Sequence, residues 1–475
     1  MLKFTALDRR PPDRRPALAR REDFDEIYHD FDRAAARAQA SRCSQCGVPF
    51  CQNHCPLTND IPDWLRLAAE GRLEEAYALS SATNPMPEIC GRICPQDRLC
   101  EGACVIEKSG HGTVTIGAIE QFITETAFAE GWVGPVPVGP TLGKSVGIVG
   151  AGPAGLAAAE DLRKAGAEVV IYDRHDRAGG LLVYGIPNFK LDKKIVARRV
   201  ARLEAAGADI RLKFEVGRQA TLEDLRARHD AVLIAAGAYA ARELGVPGDG
   251  AAGVVPALDY LVASNRKGFG DRVPDFDGGA LNAAGKRVVV IGGGDTAMDC
   301  VRTAVRQGAA SVICLYRRDR ANMPGSARET ANAEEEGVRF EWLAAPKAII
   351  SEGGRVAAVE AVRMQIGAKD DSGRAGVEPV AGSEFRLPAD LVIKALGFDP
   401  EDLPALFGAP ELQRTPRGTL RTMTRSLETS LPGVYAAGDA VRGASLVVWA
   451  IADGKRAAAE IADRLRAAPR LLAAE

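Results

Sequence analysis

The 475-residue sequence has almost no net charge: 61 Lys and Arg stand against 63 Asp and Glu, leaving −2. A nucleic-acid binder would carry a marked basic excess, so that class is excluded, and basic residues such as Arg317 and Arg318 are read locally. No run of about 18 or more apolar residues occurs, so no membrane span is expected. The opening segment, MLKFTALDRRPPDRRP, lacks an apolar stretch of signal-peptide length. The expected location is therefore the cytoplasm, a reducing compartment where clustered cysteines more often bind metal than form disulfides. Cysteine is scarce beyond residue 104: eight of the ten lie at or before it, leaving only Cys300 and Cys314.

The chain is long enough for about three domains. Residues 1–140 are read as a helical cysteine-bearing domain, with a helix from Phe24 to Ala40 and two more between the cysteine runs. The apolar positions Ile61, Leu65, Leu67, Ala68, Leu73, Ala76 and Leu79 suit those two helices. Gly71 would separate them and Asn84-Pro85 would end the second. GWVGPVPVGPTLGK, from Gly131, reads as a linker. Two strand–turn–helix–strand units follow, from Ser145 and from Lys286. Later come LVIKALG from Leu391 and GVYAAGDA from Gly433. Motif order predicts an α/β protein of two Rossmann-like units, the second inserted in the first. The expected boundaries are 141–265 with 390–475 for the first unit and 266–389 for the second.

In the first unit Gly150, Gly152 and Gly155 form G-x-G-x-x-G directly after an apolar strand. The first glycine allows the tight turn, the second admits a pyrophosphate and the third lets helix and strand close together. The pyrophosphate would sit at the helix N-terminus beside Pro153 and Ala154. Asp173 ends the next strand, 21 residues after Gly152, where a carboxylate can accept from ribose hydroxyls. Gly180, Leu181, Gly237, Gly438 and Asp439 complete the candidate contacts. The second unit has Gly292, Gly294 and Ala297 in G-x-G-x-x-A, with Asp295 and Thr296 between. Its next strand leads into Arg317-Arg318 rather than an acid. Guanidinium groups pair with a 2′-phosphate, so NADPH is expected over NADH. Cys300 and Cys314 form no C-x-x-C motif. They read as buried small apolar groups, which disfavours a dithiol reductase.

The two cysteine runs are Cys43-x2-Cys46-x4-Cys51-x3-Cys55-Pro56 and Cys90-x3-Cys94-Pro95-x5-Cys100-x3-Cys104. Neither matches a simple ferredoxin run or the paired knuckles of many zinc sites. Disulfides and zinc are the alternative readings. The Cys-Pro endings resemble iron–sulfur ligand loops, and an iron–sulfur cluster makes redox sense beside a flavin where zinc does not.

Together these residues resemble the small (β) subunit of bacterial NADPH-dependent glutamate synthase, over nearly the whole chain. The same module is found in dihydropyrimidine dehydrogenase and in ferredoxin:NADP oxidoreductases. The resemblance implies FAD in the first unit, NADPH in the second and two [4Fe–4S] clusters. It implies that Cys43, Cys46, Cys51 and Cys104 hold one cluster and Cys55, Cys94 and Cys100 three corners of the other. The fourth corner is a glutamine in the dehydrogenase; the matching position is Glu120, with Gln121 beside it, and Cys90 is left a packing role. No side-chain acid or base is assigned to the hydride step. With no cysteine before Cys43 and no room for an FMN barrel, the resemblance implies an electron-input subunit. A large (α) subunit would carry the glutaminase and FMN sites and make L-glutamate from L-glutamine and 2-oxoglutarate. The alternative is an NADPH-linked subunit of a ferredoxin:NADP or pyrimidine-reducing complex. Intact fingerprints in both units disfavour a non-catalytic iron–sulfur scaffold or sensor.

Overall fold

The computed structural model describes residues 1–369 and 375–467. Chain breakers set the helices of the N-terminal region. Ile61–Glu70 ends at Gly71, whose φ of +85° is a left-handed conformation that glycine adopts without a Cβ penalty. Leu73–Thr83 stops before Asn84-Pro85, because proline brings no N–H to the ladder. With Pro87–Ile93 and Ile116–Ala129 these helices bury Trp64, Leu65, Ala76, Ile119 and Ile123 in one core.

The helix expected from Phe24 begins only at Arg33 and runs to Ala40. The Asp32 carboxylate accepts from the Ala35 amide and caps it there. The preceding segment is spent on other partners: Tyr28 bridges to Arg14, and Glu26 pairs with Arg92 at 2.9 Å.

Two parallel five-stranded sheets follow. The first has the order Val434–Ala436, Ala231–Ile234, Ser145–Val149, Glu168–Tyr172, Asp209–Arg211. The second runs Val254–Pro256, Leu391–Lys394, Arg287–Ile291, Ser311–Tyr316, Arg339–Trp342. The last strand of the first sheet thus comes after the whole of the second, and the second unit is inserted in the first.

The expected boundaries at 265/266 and 389/390 need correcting. Val254–Pro256 and Leu391–Lys394, both assigned to the first unit, pair with each other in the second sheet, and Leu391–Lys394 pairs on its other side with Arg287–Ile291. An all-apolar strand suits the centre of any parallel sheet, so Leu391–Lys394 carries no mark of its owner. The second unit also holds a three-stranded antiparallel sheet, Ala344–Glu352, Arg355–Lys369 and Ala375–Pro388, which the sequence reading did not anticipate. Residues 370–374 and 468–475 of the expected units lie outside the described residues.

Ion pairs, one of them fully buried, join the three parts. Glu88 of the helical region meets Arg199 of the first unit at 2.8 Å, their side chains 0% and 2% exposed. Arg20, near the N-terminus, reaches Glu335 of the second unit at 2.6 Å. Inside the second unit, Glu336 pairs with Arg302 at 2.8 Å and Arg306 at 2.6 Å, all three side chains fully buried. Both guanidinium groups also lie over the Phe189 ring of the first unit. Removing one partner of such a group leaves uncompensated buried charge, at a cost of about 3–5 kcal/mol. Glu336→Ala is therefore expected to destabilise the second unit by that amount, seen as a lower urea midpoint. An unchanged midpoint would show that the arginines are not held by this carboxylate.

Candidate functional site

The first glycine loop is built as its residue types require. Gly150 has φ +110°, and a Cβ there would meet the Ala235 carbonyl oxygen at 2.3 Å. A Cβ on Gly155 would meet the Gly150 carbonyl oxygen at 2.0 Å, whereas one on Gly152 would meet nothing nearer than the Gly180 Cα at 4.0 Å. Turn and close packing thus claim the outer glycines, and the middle one faces open space. The helix Pro153–Ala165 starts there, with its amide dipole aimed at a cleft. Gly150, Gly152, Pro153, Ala154, Asp173, Leu181, Gly237 and Asp439 all line that cleft. Gly155 and Gly180 shape it from behind.

Asp173 does more than face the cleft. Its Oδ2 accepts from the Ala151 amide at 2.7 Å and its Oδ1 from the His175 amide at 2.8 Å, so it also braces the glycine loop. Asp439 accepts from the Ser445 hydroxyl at 2.7 Å, and burial pushes its carboxyl above the ordinary range. Sequence reasoning missed Tyr239 and the Arg174–Glu401 pair. Arg174 donates to both Glu401 oxygens at 3.0 and 2.9 Å and lies over the Tyr239 ring at 4.7 Å. All three line the cleft. Glu401 is 227 positions from its partner, so no local pattern could have joined them.

The second glycine loop repeats the design. Gly292 has φ +145°, and a Cβ there would meet the Ala395 carbonyl oxygen at 2.2 Å; one on Gly294 would meet nothing within 4 Å. Ala297 is buried and Thr296 partly exposed. Cys314 donates from its thiol to the Gly292 carbonyl at 3.3 Å, a contact the sequence reading did not foresee for a residue it took as filler. Cys300 is fully buried in the helix Asp295–Arg306. The Gly292 amide donates to Leu315 as the Gly150 amide does to Tyr172. By that register Tyr316 takes the place of Asp173, and Arg317 and Arg318 come directly after it. Arg317 is exposed and Arg318 partly so.

The cysteines sort into two chambers. Cys43, Cys46, Cys51 and Cys104 line one, walled by Phe50, Leu65 and Ile116. Cys55, Cys90, Cys94, Cys100 and Glu120 line the other, with Asn59, Asn84 and Val448. Close approach of two helices brings Glu120 there: a Cβ on Gly91 would meet the Gly117 carbonyl oxygen at 2.7 Å. Glu120 Oε1 accepts from Asn84 at 3.1 Å and Asn59 at 3.3 Å, and Asn59 in turn accepts from the Trp64 indole at 3.0 Å. Burial pushes the Glu120 carboxyl up to about 8. Gln121 turns the other way and donates to Asp30 at 2.9 Å. Cys90 shares the chamber and donates to Asn84 Oδ1 at 3.8 Å. Every cysteine is free. Sets of buried and half-buried sulfur around small apolar chambers fit iron–sulfur clusters, whose thiolates need the charge of the metal to ionise in such surroundings.

The two chambers and the cleft lie in sequence. Ile116 lines both chambers. Val448 lines the second chamber while its neighbour Val447 lines the first-unit cleft.

Residues 20–132 match the family model described as dihydropyrimidine dehydrogenase domain II, 4Fe-4S cluster, and residues 144–454 match pyridine nucleotide-disulphide oxidoreductase. Together with the cleft and glycine loops this defines an NADPH-dependent flavin and iron–sulfur oxidoreductase. The chain is similar to the glutamate synthase [NADPH] small chain of Azospirillum brasilense, 61% identical over 96% of this chain and 95% of that one. It is 46% identical to the namesake of Escherichia coli strain K12 over 96% and 97%. The chain belongs to the family of glutamate synthase [NADPH] small chains. Among solved structures, FprA from Mycobacterium tuberculosis aligns with a TM-score of 0.58, at 21% identity, over 68% of this chain and 85% of that one; this likeness speaks to the fold alone. Among the described residues, no helix is long and apolar enough to cross a membrane.

The cleft depends on one further glycine. A Cβ on Gly454, in the helix Val447–Ala467, would meet the Ala154 carbonyl oxygen at 2.1 Å. Gly454→Ala should push that helix off the glycine loop and lower the flavin content of the purified protein severalfold. Full flavin occupancy in this variant would mean the helix can give way.

Proposed function

We propose that this chain is the electron-input subunit of a cytoplasmic glutamate synthase. It would oxidise NADPH by hydride transfer to FAD and feed electrons singly, through two [4Fe–4S] clusters, to a large subunit that makes L-glutamate from L-glutamine and 2-oxoglutarate. The observation that carries the reading is the sorting of the thiols into two chambers beside a dinucleotide cleft, in a chain that resembles glutamate synthase small chains from end to end.

In this reading the chain's own groups bind and orient. The amides of Ala154 and Gly155, in the first turn of the helix, would hold the FAD pyrophosphate, with Gly150, Gly152, Pro153, Gly180, Leu181, Gly237, Gly438 and Asp439 shaping its site and Asp173 facing the ribose. Gly292, Gly294, Thr296 and Ala297 receive NADPH, with Asp295 setting the charge at the helix start beside them, and Arg317 and Arg318 take its 2′-phosphate through charge-assisted bonds. Cys43, Cys46, Cys51 and Cys104 ligate one cluster. Cys55, Cys94, Cys100 and Glu120 ligate the other, and the amides of Asn59 and Asn84 orient the Glu120 carboxylate as outer partners do for metal ligands. Electron exit and entry need no acid or base; the contribution of the protein is orientation and a water-poor path.

A second reading has a specific observation behind it. The chain is also 46% identical to the putative oxidoreductase AegA of Escherichia coli strain K12, over 96% of this chain and 69% of that one. A module so alike can serve another oxidoreductase complex. Purification of the native complex decides between them: glutamate should form from glutamine, 2-oxoglutarate and NADPH. A complex that passes NADPH electrons to ferredoxin without making glutamate would favour the second reading.

Two variants probe the residues. Replacing Arg317 and Arg318 by alanine should raise the KM for NADPH by at least about tenfold, equivalent to 1.4 kcal/mol, with little change for NADH; equal effects would remove the 2′-phosphate assignment. Cys90→Ala should keep the full iron content while Cys94→Ala loses iron. Loss of about four irons per chain in the Cys90 variant would make Cys90 the ligand in place of Glu120.

A further inference from the structure

Arg98 lies in the short turn Gln96–Arg98, between Cys94 and Cys100, yet lines neither thiol chamber. Its Nη2 donates to Asp295 Oδ2 at 3.1 Å, across 197 positions of sequence. Asp295 is the first residue of the helix that follows the second glycine loop. Its other oxygen accepts from the Ser326 amide at 2.9 Å. Next to Arg98, Asp97 accepts from the Ala327 amide at 3.2 Å, and Arg328 donates to the Arg92 carbonyl at 3.2 Å. The turn between two cysteines is thus fastened to the mouth of the second dinucleotide loop.

A carboxylate at the first position of a helix suits the positive end of its dipole. It also stands where a pyrophosphate is to be received, and like charge repels it. Arg98 is the opposite charge set against that carboxylate. The pair is reachable from outside, with side chains 41% and 34% exposed, and beside it Gly294 leaves open space. We infer that Arg98 is a positioning residue of the NADPH site supplied by the cysteine-bearing region: by neutralising Asp295 it lets the dinucleotide's phosphates approach the second glycine loop. The inference rests on the NADPH assignment above. Because Arg98 belongs to the turn between Cys94 and Cys100, occupancy of the loop and the state of that turn are linked, and linkage is reciprocal.

The test is calorimetric titration of NADP⁺ into the holoprotein. Arg98→Ala should weaken binding about five- to tenfold, and Arg98→Lys, which keeps the charge, should stay close to the parent. Asp295→Asn alone should bind at least as tightly as the parent, and added to Arg98→Ala it should restore affinity. Amides of residues 95–99 should exchange more slowly with NADP⁺ present in the parent, and not in Arg98→Ala. Unchanged affinity in Arg98→Ala overturns the inference. So does a loss that Asp295→Asn fails to restore, since Arg98 would then act by some means other than neutralising that carboxylate. A parent protein that binds no NADP⁺ would instead remove the underlying assignment. Should Arg98→Ala lose flavin or iron, Asp295→Asn alone still decides: weaker binding than the parent counts against the idea.

Discussion

The structure depends on how closely two helices can lie. Pro153–Ala165 carries the first glycine loop, and Val447–Ala467 closes the cleft above it. Gly454 sits against the Ala154 carbonyl, and the small side chains Ala154, Ala157, Ala158, Ala450, Ala457 and Ala458 are buried in one core. Larger residues would separate the axes, since interaxial distance follows the side chains at the contact. This closeness lets one turn of helix serve two sites, with Val447 facing the cleft and Val448 the second thiol chamber. A wider packing would move the chamber away from the cleft, and electron transfer between them would suffer first.

The relative placement of the three parts is fixed by charge as well as by packing. Glu88–Arg199 and Arg20–Glu335 each cross between parts of the chain. A buried pair such as Glu88–Arg199 adds little net stability. Such pairs make misplacement costly, because any other docking leaves a charge without its partner. An oxidoreductase that must hold several redox groups in line gains more from such fixed placement than from extra stability.

Much of the fold was legible because glycine and proline mark turns unambiguously. Gly71, Gly150 and Gly292 stand where the chain needs a left-handed or crowded backbone, and the insertion followed from the order of motifs alone. The limits of the second unit were not legible. Leu391–Lys394 is apolar throughout, as any central parallel strand is, and only its hydrogen bonds tell which sheet owns it. The helix at Phe24 failed for a different reason: Glu26 and Tyr28 are held by distant partners that no local pattern shows. In the candidate site, Cys43 through Cys104 were plain from spacing, and the resemblance divided them between the two groups that the chambers display. Asn59, Asn84, Tyr239 and Glu401 were not legible, since each reaches the site through a residue remote in sequence, as Asn59 and Asn84 reach Glu120.

The insertion has a consequence for synthesis. The first sheet lacks an edge until Val434–Ala436 has been made, and the cleft lacks Asp439, Ser445 and Leu446 until slightly later. Val448 completes the second thiol chamber later still. The second unit, by contrast, has all five strands once Lys394 has emerged. On a ribosome the inserted unit can therefore fold while its host is still open. A chain cut short anywhere before the final helix could have a well-formed second unit and yet offer neither a closed flavin cleft nor a sealed chamber, so the cell cannot make a half-wired version of this protein by losing its end.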